Sequence, residues 1–125
     1  MIDIIKNEPM GSKKRATQQD IWRELRAQAF VGICDCEWMQ KNYDAAATNC
    51  QKALALTPTD LFANYRLGLV MAEQYNQVGG LALLKDARKY FDAVISINPQ
   101  TDEADRSRKY VANIDSVLAQ TPARP

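Results

Sequence analysis

The 125-residue sequence contains no histidine. That removes the commonest general base and the commonest zinc ligand from its chemistry. Cysteine is scarce, with only Cys34, Cys36 and Cys50. An odd, small number argues against a disulfide framework. Buried structural thiols are the expectation for Cys34 and Cys50, with Cys36 more exposed. Cys34 and Cys36 stand two apart on a helix, point in different directions and form no two-ligand metal face. No apolar run approaches the ~20 residues of a membrane-spanning helix. The opening MIDIIKNEPM carries Asp3 and only a short apolar patch, unlike a secretory signal. The expectation is a soluble, cytoplasmic protein, with a removed targeting segment left open.

Charge of one sign is lacking too. Sixteen Lys and Arg against fifteen Asp and Glu leave a net charge of +1. Nothing in that balance draws the molecule toward nucleic acid or an anionic membrane. Glycine and proline number five each, and no period-two alternation lasts more than a few residues. Strands are therefore not expected. The Ala- and Gln-rich style reads as bacterial.

What is present has helical spacing. Residues 1–16 read as a flexible arm, its Met10–Ser12 either a cloning scar or native sequence, and its Lys13–Arg15 run a solvated charge cluster. Thr17 offers an N-cap, with Asp20 three residues on completing a capping box. Trp22, Leu25, Ala29, Ile33 and Cys36 then mark one apolar helical face as far as about Gln40. A second helix spans Tyr43 to Leu56 and stops before Thr57-Pro58. A third covers about 60–75, capped by Thr59 or Asp60. Asn76–Gly80 breaks it, and a fourth runs from about Leu81 to Ile97. Thr101 caps a fifth, whose Ala104, Ser107, Val111, Ile114 and Leu118 form a seam. Residues 121–125 read as a tail.

Two segments repeat one pattern. Ala29, Ile33 and Cys34 match Ala63, Leu67 and Gly68 at an offset of 34. Ala46, Cys50, Leu54 and Leu56 match Ala87, Phe91, Ile95 and Ile97 at an offset of 41. The seven extra residues fall between Gln74 and Ala87 and are close to two helical turns, so the apolar face stays nearly in phase. The expectation is a longer fourth helix. Pro58 and Pro99 close the two units.

A helix pair recurring at this period resembles the tetratricopeptide repeat (TPR) family. The small residues at Cys34, Ala46 and Ala53, and at Gly68 and Ala87, carry the resemblance. So do Leu67-Gly68, Tyr43 and the two closing prolines. Cys34, Glu37, Met71 and Val94 depart from the family pattern. The resemblance implies an all-α superhelix of about five antiparallel helices over residues 17–120. Its units cover about 27–60 and 61–101, and a solvating cap helix covers 102–119.

The resemblance also implies a function. In this family the first helix of each pair lines a concave face that binds peptides or helices. Carried over, the lining residues are Val31, Asp35 and Trp38; Phe62, Tyr65, Arg66 and Leu69; and Arg106 and Tyr110. Tyr65 and Tyr110 are expected to open into the groove. Trp38 and Phe62 fit groove or packing equally. A chaperone-tail carboxylate clamp is disfavoured, because a valine and an acid stand at its positions, Val31 and Asp35. Asp102 and Glu103 belong to the first turn of a helix, where they complement its dipole. The reading is thus a non-catalytic module for a protein or peptide partner, with no cofactor and no metal. The alternative is self-association, in which the long first and fourth helices pair between chains.

Overall fold

The computed structural model describes residues 17–120. The expected arm (1–16) and tail (121–125) lie outside the described residues. The fold is all-α. Five helices follow in order: α1 (Gln18–Met39), α2 (Tyr43–Leu56), α3 (Leu61–Val78), α4 (Leu81–Ile97) and α5 (Asp102–Gln120). Among the described residues there is no strand. None of these helices is long and apolar enough to cross a membrane.

Local chemistry sets the boundaries. Thr17 and Asp20 form the capping box on α1, each side chain accepting from the other's backbone N–H. Asp60 caps α3 by accepting from the Ala63 N–H at 2.9 Å, and Thr101 caps α5 through the Ala104 N–H at 3.0 Å. Gly79 and Gly80 both have positive φ, at 75° and 101°, and turn the chain between α3 and α4. That turn begins three residues later than Asn76, so α3 is longer than its sequence suggests.

The seven-residue insertion is shared rather than confined to α4. Relative to the first pair, α3 runs five residues further and α4 begins three earlier, while the connection is one shorter. Lengthening both helices together keeps their contact matched along its whole length.

Consecutive helices pack against one another, and α1 also touches α3. One core runs through the array. Its largest fully buried side chains are Phe91, Leu67, Val70 and Val94, with Cys34 and Cys50 among them. Ala104, Ser107 and Ile114 of the α5 seam are buried, while Val111 and Leu118 pack against the core from its edge. The Ser107 hydroxyl is buried and has no hydrogen-bond partner among the described residues.

Cys34 and Cys50 are joined in a disulfide that ties α1 to α2, while Cys36 is free and exposed. This corrects the expectation of two separate buried thiols. Three cysteines on two helices admit three pairings, and only the approach of α1 to α2 selects one. The matched pair in α3 and α4 is Gly68 and Phe91. A Cβ on Gly68 would stand 2.7 Å from Phe91 Cε1, so glycine is what lets that ring lie against α3.

Candidate functional site

Three helices line one open groove of about 990 Å³. From α1 come Glu24, Gln28, Val31 and Asp35, which step by three and four and so share one helical face. Phe62, Tyr65, Arg66 and Leu69 enter from α3 in the same rhythm. Glu103, Arg106 and Tyr110 complete it from α5, and the α2–α3 connection adds Thr57, Thr59 and Asp60 at one end. Asn64, buried beside that end, donates its amide to the Pro58 and Asp60 carbonyls and holds the connection in place.

Eight of the nine residues expected from the sequence meet here. The ninth, Trp38, lines a second hollow of about 450 Å³. Leu69 and Tyr110 border both, so the two spaces adjoin.

The individual side chains differ in what they offer. Phe62 is 59% exposed and stands free at the groove wall. Tyr65 is only 8% exposed, which corrects the expectation that its ring opens into the groove. The ring packs edge-on to Phe91 at 6.1 Å, and Tyr110 lies 4.9 Å from the same ring. Phe91 can reach them because Gly68 leaves it room. The three rings form an aromatic floor, with Tyr110 half-buried at its upper edge.

Polar groups frame that floor. Arg66 Nε donates to Asp35 Oδ1 at 2.6 Å, tying α3 to α1 across the groove. The Arg66 guanidinium also lies 5.5 Å from the centre of the Trp38 ring. Carboxylate and indole together hold Arg66 in one orientation. Burial pushes the Tyr65 phenol above its ordinary pKa; nearby Tyr110 adds to the rise, and Arg106 pulls partly back. Hydrogen bonding to the Tyr65 phenol, the largest influence on Arg106, raises its guanidinium in turn.

Sequence reasoning missed Glu24, Gln28, Thr57, Thr59, Asp60, Leu61 and Glu103. The signal for the α1 pair was present, because Glu24 and Gln28 lie on the same helical face as Val31 and Asp35. It was masked by the stronger apolar stripe of Trp22, Leu25, Ala29, Ile33 and Cys36 on a different face of α1.

Among the described residues no group of three or more Cys, Asp or Glu side chains is arranged to hold a metal ion. The groove offers an apolar, aromatic floor between charged rims. No family model matches the chain, and no curated protein sequence is significantly similar to it.

Proposed function

We propose that the protein is a non-catalytic, TPR-like interaction module that seats a partner's peptide segment or helix in the α1–α3–α5 groove. The observation that carries this reading is the groove itself: an open trough with an exposed phenylalanine on its wall and an aromatic floor. Aromatic and arginine side chains are the types that dominate binding energy at protein interfaces. The partner is a protein or peptide, and its recognition needs no cofactor.

The rim narrows the chemistry of that partner. Arg66 is engaged by Asp35, and Arg106 is drawn toward the Tyr65 phenol. Glu24 and Glu103 make no salt bridge among the described residues. The uncommitted charge at the rim is thus acidic. The fitting ligand carries an apolar or aromatic anchor with Lys or Arg beside it, rather than an acidic C-terminal tail. Within the same proposal, the Cys34–Cys50 bridge favours an oxidising compartment over the reducing cytoplasm first expected.

A peptide library panned on the full chain tests the groove. The selected peptides are expected to share an apolar anchor and a basic flank. Phe62→Ala and Glu24→Lys should each weaken their binding about tenfold, equivalent to ~1.4 kcal/mol. Selected peptides that bind both variants as tightly as the parent protein would sink the reading.

A further inference from the structure

The groove uses one face of α1, and a second face of that helix is apolar and open. Ile21, Trp22, Leu25, Ile33 and Met39 are exposed there, from 45% to 72%. They are five of the eight large apolar side chains exposed among the described residues, so the exposure is concentrated on one helix. Exposed Ala29, Gly32 and Cys36 fill the spaces between them. The resulting strip is roughly 25 Å long at 1.5 Å per residue. The buried residues of α1, Ala27 and Cys34, lie on the other side.

Two features say what covers this strip. The first is Gly32. Glycine in the interior of a helix is unfavourable, and here nothing among the described residues requires it. A Cβ on Gly32 would meet no atom within 4 Å, and its φ is not positive. Close approach by another helix supplies the missing reason.

The second feature is the order of side chains. Bulky Ile21, Trp22 and Leu25 occupy one end and Ile33 and Met39 the other, with small Ala29 and Gly32 between. Arg26 and Glu37 stand on the same edge of the strip, toward opposite ends. Neither makes a salt bridge among the described residues. A strip with this arrangement is complementary to itself when reversed, as a two-fold interface requires.

We propose that a second copy of this chain docks on the strip, with the two α1 helices antiparallel. Ala29 then meets the partner subunit's Gly32 at the crossing point. Leu25 lies against the partner subunit's Cys36, and Ile21 against the partner subunit's Met39. Arg26 faces the partner subunit's Glu37, and the same pair recurs by symmetry. A parallel two-fold pairing would send these charges to opposite edges of the interface and leave both without a partner. The strip is narrow beside the ~800 Å² per partner of a standard interface, so the dimer forms in a concentration-dependent equilibrium.

Sedimentation of the full chain from roughly 1 to roughly 300 µM tests this, since that range brackets micromolar association. A monomer–dimer equilibrium is expected. Arg26→Glu and Glu37→Arg should each weaken the dimer about tenfold, and the double exchange should restore it. Gly32→Leu should abolish the dimer without lowering the melting temperature of the monomer, because leucine favours helix. A monomer across the whole range, a charge exchange without rescue, or a dimer that survives Gly32→Leu would each overturn the proposal. None of the substituted residues lines the groove, so peptide binding is read independently of self-association.

Discussion

The hairpins α1–α2 and α3–α4 solve one packing problem in two ways. Cys34 corresponds to Gly68, and Cys50 to Phe91. In the first hairpin the pair is a covalent bond between two buried sulfurs. In the second it is a fully buried aromatic ring lying where a side chain on residue 68 would have been. The first solution leaves little apolar volume at the joint but restrains the unfolded chain. The second adds nothing covalent but fills the joint with the largest fully buried side chain of the core. The difference reaches the candidate site, because the Phe91 ring supports Tyr65 and Tyr110 from beneath.

The largest effect is expected at the second joint. Gly68→Leu drives a branched side chain into the Phe91 ring and should cost about 3 kcal/mol. Phe91→Ala removes the ring and should cost about 3–5 kcal/mol. Both should also disturb the Tyr65 and Tyr110 rings, visible in near-ultraviolet circular dichroism. A loss below about 1 kcal/mol on denaturant unfolding would show that this joint is not held by packing.

The first joint should be the weaker and should respond to a different agent. The bridge spans a sequence separation of 16, for which the loop-entropy estimate is about 3 kcal/mol. Reduction of the protein, or Cys50→Ala, should therefore lower the melting temperature by roughly 10 °C or more. The exchange Cys34→Gly with Cys50→Phe sharpens the comparison. Partial recovery relative to Cys50→Ala means that the two joints have interchangeable geometry. No recovery means that the hairpins differ in helix spacing.

The smallest effect separates the two hairpins by pH. Arg88 on α4 grips Asp115 on α5 through two hydrogen bonds, at 2.6 and 3.0 Å. That grip holds the Asp115 carboxyl below its ordinary value of 3.8. A depressed carboxylate contributes stability that is present above the ordinary value and lost as pH falls through the folded one. Wild type and Asp115→Asn should thus differ slightly near neutral pH and converge well below about pH 4. Added salt should shrink the gap, since both groups are solvent-exposed. A difference that persists in strong acid would place the effect in packing rather than charge. The disulfide of the first hairpin has no such dependence.

Much of this architecture was legible locally. The spans of α2 and α4 follow from turn chemistry on either side of a helical apolar pattern, and Thr17 with Asp20 announces the start of α1. Matching positions in the two segments identified the residues at both joints. Eight of the nine expected site residues do share one groove. Tyr65 was misread as open because a one-dimensional pattern gives the face of a ring but not the depth of its neighbours. Glu24 and Gln28 were passed over because a hydrophobic stripe draws attention from a polar one on the same helix.

Apart from the C-terminal end of α3, the sequence by itself determined where the helices begin and end, because caps, glycines and prolines act within a few residues of the chain. It also determined which side chains share a face, because helical spacing is local. Only the tertiary structure decided that Cys34 reaches Cys50, that Phe91 lies over Gly68, and that no other described helix covers the apolar stripe of α1. Those outcomes depend on which helix comes alongside and at what distance, and such contacts are set by the packing of the whole array.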